Sequence, residues 1–387
     1  MILFVRRMVL WKRLAILTII FTTVLLFTSF KMHTVLSEVK VIPKLQKLNT
    51  IIPLQETFNQ TVQNVEIHVS LEMEAFRENK ARIRKIAEVC RKYKLGNYKH
   101  VNTNTSSTFT IKYPPTPQYS VFYYDLEDSF AFCPIYKAAS STWLYNLCLL
   151  AGESEESLQN TKQQLSSVAR RFFPEIIDFE VAQEVLEKCT KLIVVRHPFE
   201  RILSAYRDKL ENINTGWEHG TGHFYRKYGA KIVRKYRPGG NKSVAVLKPG
   251  SYIWEKKKPR PAGIEPTFKE FVSYLLDTDL LNYADDHWIP YNLFCTPCFV
   301  NYDFVAKVET LGRDQLFIIN KLGWIKRIQP RWRHKTGEEN SKEFIARAYF
   351  SQLSQQEVKL LYDKYRLDFE MFDYSPNLYI SYAKDDT

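Results

Sequence analysis

Residues 191–209, KLIVVRHPFERILSAYRDK, carry the reading from which the fold follows. The stretch opens on a short apolar run of the kind that fills a strand buried on both faces of a parallel sheet. Phe199 to Leu210 then continues as a helix. A second unit of the same grammar lies upstream. Aromatic and apolar residues in YSVFYYDL (119–126) and FAFCPIY (130–136) read as strands, and Thr142 to Leu150 carries a helix pattern. Strand, turn and helix thus occur twice, which predicts an α/β core around a central parallel sheet. No internal repeat is present.

Outward from that core, the composition is that of a folded protein: 387 residues, 45% hydrophobic and 25% charged, with 13 Gly and 17 Pro. Disordered, fibrous and low-complexity classes are excluded. Near the amino terminus, Leu14 to Phe30 is an uninterrupted uncharged run preceded by Arg6, Arg7, Lys12 and Arg13 and by no acid. A run of that length is near the lower limit for a spanning helix, and the flanking cations predict a cytosolic amino terminus. The reading is a signal-anchor at 14–30 behind a cytosolic tail at 1–13, a single-pass type II arrangement; no small-residue cleavage site marks a cleaved signal peptide. The short span leans toward a thin, early secretory membrane, hence the Golgi. Residues 31–117, polar and mixed, with a helical stretch near Leu71 to Lys94 and PPTP at 114–117, read as a lumenal stem; 118–387 reads as the catalytic part.

Sequons at Asn59, Asn104 and Asn241 lie beyond the anchor, open to N-glycans. The six cysteines, Cys90, Cys133, Cys148, Cys189, Cys295 and Cys298, are an even number, and in an oxidising lumen disulfides are the default expectation. Cys295 and Cys298 have CxxC spacing but neither a thioredoxin-like context nor further zinc ligands nearby, so disulfide partnership is the expectation for them as well. The net charge of +13 is local: residues 226–260 hold 12 Lys/Arg against one acid, whereas 118–225 are net acidic. The basic block reads as a loop that grips a polyanion or as a solvated insertion.

The two strand-to-helix turns carry the chemistry. In the first, Lys137 precedes Ser140, Ser141 and Thr142 at a helix start, where free N–H groups, hydroxyls and a point charge favour an anion. It is not a Walker A loop, and a plain N-cap explains the hydroxyls equally. In the second, Arg196 leaves the strand end and Ser204 sits in the following helix, positions that converge on a second phosphate. Two such sites suit a nucleotide phosphorylated at both its 5′ and 3′ positions. Arg201, Asp208 and Lys209 read, at least in part, as surface helix charges.

These turns, with the third segment Asp286-His-Trp-Ile-Pro, Cys295-Thr-Pro-Cys298 and Tyr302-Asp-Phe-Val-Ala-Lys-Val-Glu-Thr310, resemble the 5′-phosphosulfate and 3′-phosphate motifs of Golgi carbohydrate sulfotransferases, specifically the chondroitin/dermatan 4-O-sulfotransferase group. The likeness spans about 118–325 and implies a P-loop-like sulfotransferase fold. Three positions depart from the pattern: Tyr136 replaces a usual proline, Thr142 an asparagine and His197 a common acid. The resemblance implies 3′-phosphoadenosine-5′-phosphosulfate (PAPS) as donor, with transfer of its sulfuryl group to a sugar hydroxyl of an acidic glycan. It implies a donor site built from Tyr136, Lys137, Ala138, Ala139, Ser140, Ser141 and Thr142 at the 5′ end. Arg196, His197, Pro198, Phe199, Glu200, Arg201, Ile202, Leu203 and Ser204 would form the 3′-phosphate motif.

Lys137 is the expected stabiliser of the leaving 5′-phosphate, since charge builds there in transfer. His287, with Asp286 or Asp285 to orient it, is the expected general base; Glu200 and Glu309 are the alternatives, and a structural histidine is a further one. No metal is required by this chemistry, and no ligand cluster demands one. A second class is a non-enzymatic protein that holds heparin-like chains on 226–260 and on Lys326, Arg327, Arg331, Arg333, His334 and Lys335. Nucleic acid is disfavoured by the lumenal topology.

Overall fold

Four short strands form one sheet in the order β1 (Tyr123–Asp125), β2 (Phe130–Cys133), β3 (Thr190–Val195) and β4 (Phe304–Lys307). β2, β3 and β4 run parallel, in a register that sets Phe132 beside Leu192 and Ile193 beside Val305; β1 is antiparallel to β2. The computed structural model describes residues 54–98, 117–212, 221–239, 264–330 and 339–385. The expected anchor at 14–30, the sequons at Asn104 and Asn241, residues 240–260 of the basic block, the cluster at 331–335 and the Asn59 side chain lie outside the described residues. Among the described residues no helix is long and apolar enough to cross a membrane. The chain divides into the units Met1–Val65 and Glu66–Thr387, and the sheet with its cleft belongs to the second.

The apolar run around Ile193 is buried on both faces because alternate residues serve different cores. Ile193 and Val195 share a core with Ala131, Cys133 and Val305, covered by Ile86 and Val89. Leu192 and Val194 share another with Phe130, Phe132 and Ala306, covered by Trp143, Leu144 and Leu147. The first cover comes from helix α1 (Leu54–Lys92) and the second from α2 (Ser140–Leu150). A third core packs Phe199 and Ile202 of α3 (Pro198–Lys209) against aromatic residues such as Phe268, Phe271, Trp288, Phe350 and Tyr365. Later helices include α4 (Ala230–Tyr236), α5 (Phe268–Asp277), α6 (Leu311–Lys321), α7 (Glu339–Phe350), α8 (Gln355–Met371) and α9 (Asn377–Tyr382), and two more, Leu165–Phe172 and Phe179–Lys188, lie between α2 and β3.

The helix expected within the stem is a structural member of the body, so packing begins well before Gln118. Asn79 of α1 donates to the Asp303 carbonyl at 2.9 Å and accepts from the Val305 N–H at 2.8 Å, and Arg82 donates to the Val305 carbonyl at 2.9 Å. These bonds satisfy the outer edge of β4, which no further strand pairs among the described residues. Disulfides Cys90–Cys298 and Cys133–Cys295 join α1 and β2 to the CxxC segment. Full pairing of six cysteines is corrected: Cys148 and Cys189 are free and buried, each enclosed by apolar neighbours in a different core. Gly96 makes the first disulfide's approach possible, for it has φ +56° and a Cβ there would lie 2.1 Å from the Cys298 carbonyl oxygen.

Two expected strands are shorter than the sequence pattern implied. YSVFYYDL opens with a single helical turn at Tyr119–Val121 before β1, and FAFCPIY leaves the sheet after Cys133. β4 lies inside the third motif segment, Tyr302–Thr310.

Candidate functional site

The carboxyl ends of β2, β3 and β4 all open into one cleft of about 1450 Å³, the edge at which open α/β sheets bind ligands. β2 leads through residues 134–139 into α2. Lys137 and Ala139 take left-handed φ values of +69° and +59°, conformations in which a side chain bearing a Cβ is uncommon and which cluster at functional turns. Ala139 is the residue preceding α2 and offers no side-chain cap. Ser140, Ser141 and Thr142 therefore occupy the first helical turn and are not caps; all three line the cleft. This removes the plain N-cap explanation for the hydroxyls.

Lys137 reaches Asp208 with an Nζ–Oδ2 distance of 3.1 Å, and Lys209 meets the same carboxylate oxygen at 3.2 Å. Burial pushes the Lys137 ammonium below its usual range while Asp208 pulls against that shift. Burial would raise the Asp208 carboxyl, but Lys137 and then Lys209 hold it below the ordinary value. Asp208 and Lys209 are thus residues of the cleft, a correction to their reading as surface charges. Arg196 donates to Glu200 Oε2 at 2.9 Å and reaches the Lys137 carbonyl at 3.5 Å, linking the two turns. Ser204 lines the same wall.

Several residues of the two motifs act from behind the wall. Ala138, Pro198, Phe199, Ile202 and Leu203 are buried in the cores and, among the described residues, are not part of the cleft lining. Arg201, 1% exposed, is corrected from donor contact and from surface charge alike. Its guanidinium donates to the carbonyls of Tyr136 (2.9 Å), Ile289 (2.6 Å) and Asp286 (2.9 Å) and lies over the Tyr291 ring. It therefore clamps the Lys137 turn to the segment that carries His287. His197 lines the cleft, yet its ring is occupied locally. Nδ1 accepts from the Phe199 N–H at 3.2 Å, capping α3, so Nε2–H donates to the Ser375 carbonyl at 3.0 Å. Burial lowers its pKa and suits this neutral form. A histidine thus serves here as the helix cap that an acid would also supply.

His287 stands in the same cleft, its ring centroid 4.8 Å from that of Tyr136 and inclined to it by 29°. The departure at Tyr136 thus supplies a stacking platform for the imidazole. Nδ1 lies 2.7 Å from Asp285 Oδ1, which also accepts the His287 backbone N–H at 3.2 Å. Of the two carboxylates considered, Asp285 is the orienting one. Its other oxygen accepts from Tyr228 at 3.0 Å and pairs with Lys227 at 3.4 Å. Burial opposes its ionisation, but the His287 contacts bring the carboxyl down to about 2. Burial pushes the His287 pKa below its usual value, with Asp285 opposing. An Nδ1–H facing an ionised carboxylate leaves Nε2 bare and able to take a proton.

The rival bases are both committed. Glu200 Oε1 accepts from the Tyr379 hydroxyl at 2.9 Å while Oε2 holds Arg196. Glu309 accepts from the His197 N–H and the Tyr374 hydroxyl, both at 2.8 Å. Tyr374, Tyr379 and Tyr382, with Lys342 of α7, also line the cleft from the far end of the chain. Sequence reading missed them because no local motif marks a tail that folds back.

A sheet opening at its carboxyl edge onto a lysine turn and an arginine turn defines the class: the chain belongs to the sulfotransferase family, whose profile matches residues 120–375. It is similar to carbohydrate sulfotransferase 9 of Homo sapiens, 28% identical over 292 residues, covering 75% of this chain and 58% of that protein. It is also similar to carbohydrate sulfotransferase 8 of Homo sapiens, 32% identical over 248 residues (63% of this chain, 53% of the relative). Carbohydrate sulfotransferase 14 of Danio rerio is 31% identical over 261 residues (67% and 63%). The chain therefore spans somewhat more than half the length of these relatives. No solved structure matches it.

Proposed function

We propose that the chain transfers a sulfuryl group from PAPS to a hydroxyl of a glycosaminoglycan or related acidic glycan, the 4-O position of N-acetylgalactosamine in chondroitin or dermatan being the acceptor its motifs favour. The observation that carries the reading is the meeting, in one cleft, of Lys137, Arg196 and a carboxylate-oriented His287. The donor supplies an activated sulfuryl group. Lys137 and the first turn of α2, with Ser140, Ser141 and Thr142, bind the 5′-phosphosulfate end and stabilise charge on the departing phosphate. Arg196 and Ser204 hold the 3′-phosphate. His287 Nε2 takes the proton of the attacking sugar hydroxyl, and Asp285 stabilises the imidazolium that results. The setting is a Golgi lumen, with an anchor at 14–30 and a stem beyond it.

The exposed cations Arg226, Lys231 and Arg234, on the helical stretch that carries Tyr228, are in the described part of the basic block. They support an anionic acceptor. The test is twofold: thermal stabilisation of a lumenal form by 3′-phosphoadenosine-5′-phosphate, and transfer of radiolabel from PAPS to a panel of desulfated chains followed by disaccharide analysis. Stabilisation together with 4-O-sulfated product is the expected result. Heparin binding without nucleotide stabilisation would favour the non-enzymatic reading. Lys137→Ala is expected to abolish transfer with an unchanged melting temperature.

A further inference from the structure

Helix α3 carries Glu200, Ser204 and Asp208 at successive intervals of four residues, and all three line the cleft. Residues four apart on a helix share a face, so this is one stripe, about 12 Å from first to last at 1.5 Å per residue. At one pole Glu200 holds Arg196; at the other Asp208 holds Lys137 and Lys209. Each carboxylate therefore pairs with a cation that the proposed function assigns to one phosphate of the donor, and the hydroxyl of Ser204 lies between them.

We propose that Asp208 and Glu200 are resident counter-ions that weaken nucleotide binding so that the spent bisphosphate leaves. The proposal rests on the donor assignment made above. Without the carboxylates, Lys137, Lys209 and Arg196 would face a multiply charged nucleotide unopposed, and the phosphate that remains after transfer would be held as tightly as the phosphosulfate that entered. With them, each arriving phosphate must share its cation with a fixed negative charge. Asp208 accordingly acts through Lys137 as a positioning residue. Its carboxylate, about half exposed, has room to stay solvated when the lysine turns to the nucleotide.

A structural role and a counter-ion role predict opposite signs. If Asp208 served only to place Lys137, its loss would weaken nucleotide binding. As a counter-ion, its replacement by an uncharged isostere tightens it. The experiment measures 3′-phosphoadenosine-5′-phosphate affinity by calorimetry for the wild-type lumenal protein, Asp208→Asn, Glu200→Gln and the conservative Asp208→Glu, together with kcat and KM for PAPS. Asp208→Asn is expected to bind the bisphosphate about fivefold to tenfold more tightly, as expected for removing one nearby like charge at a partly exposed site. Its KM for PAPS falls, and kcat falls with it as product release slows; Glu200→Gln shows the smaller change in the same direction because Tyr379 also holds that carboxylate. Asp208→Glu, which keeps the charge, does not bind the bisphosphate more tightly than wild type. Unchanged or weaker bisphosphate binding by Asp208→Asn, in protein that melts normally, overturns the proposal and leaves the donor assignment standing. A wild-type protein that fails to bind the bisphosphate overturns the donor assignment and this proposal together.

Discussion

Replacing Arg201 tests the idea that one buried guanidinium sets the geometry of the site. The side chain is 1% exposed and donates to three backbone carbonyls, at 2.9 Å to Tyr136, 2.6 Å to Ile289 and 2.9 Å to Asp286. Glutamine has a single donor nitrogen, so Arg201→Gln leaves at least one of these carbonyls buried without a partner. Hydrogen bonds from a charged donor contribute about 1.5–3 kcal/mol each, and breaking a buried charged network costs about 3–5 kcal/mol in all. At about 2 °C per kcal/mol for a domain of this size, the melting temperature should fall by about 8 °C. The Lys137 turn and the His287 segment are both tied to this side chain, so their mutual spacing should relax as well. A displacement on the order of 1 Å costs about a hundredfold in rate. Arg201→Lys should be nearly as damaging, because one ammonium does not reproduce a planar fork. Differential scanning calorimetry and radiolabelled transfer, run on the same protein, check both effects. Melting within about 2 °C of wild type together with an unchanged kcat would refute the clamp.

Other expectations concern protons and charge. Transfer should fall on the acid side with a midpoint below the ordinary imidazole value of about 6.5, since burial lowers the His287 pKa; His287→Gln should lose that limb and about a hundredfold or more in rate, and a preserved rate removes it as base. Asp285→Asn should also slow transfer, as an amide no longer fixes the Nδ1–H form, which a pH–rate profile would register. Burial pushes the Asp368 carboxyl up to about 7, against the pull of the Tyr291 and Asn292 N–H groups. The folded chain keeps that proton where the unfolded chain has lost it, so stability is fully present below about pH 4 and declines as pH rises through about 7. Asp368→Asn should flatten this slope in melting temperature against pH; an unaltered slope contradicts it. Exchanging Arg226, Lys231 and Arg234 for glutamine should raise the acceptor KM about tenfold at low salt and leave the KM for PAPS unmoved, the difference closing as salt screens it.

The sequence made the sheet's centre legible because its signal is local. An apolar run that must fill two cores reads as β3 without any neighbour in view, and the turns at Lys137 and Arg196 follow from where strands stop. β4 is not marked in the sequence because Phe304–Lys307 is short and its partner is distant in sequence. The helix around Asn79 looked like a spacer, since its polar residues satisfy a strand edge that only the folded chain possesses. The places of the charges at Arg201, Asp208 and Lys209 are hidden for a related reason. On a helix taken alone they are surface residues; one proves to be a buried clamp and the others line the cleft. Tyr136 and His197, departures from the family pattern, acquire roles only through contacts with His287, Phe199 and Ser375.

The two disulfides have a consequence for how the chain matures. Cys295 and Cys298, three positions apart, close bonds that reach back 162 and 208 residues, to Cys133 and Cys90. At a synthesis rate of about 5–20 residues per second, Cys133 waits at least about eight seconds for its partner to be made. During that interval Cys90, Cys133, Cys148 and Cys189 are the available thiols, so an oxidant meets only non-native pairs. Any bond formed early among them would have to be undone by thiol–disulfide exchange, and the adjacent placement of Cys295 and Cys298 delivers both incoming thiols to the same place almost together. The cleft itself is finished later still, because Lys342, Tyr374, Tyr379 and Tyr382, which line it, follow the CxxC segment in the chain.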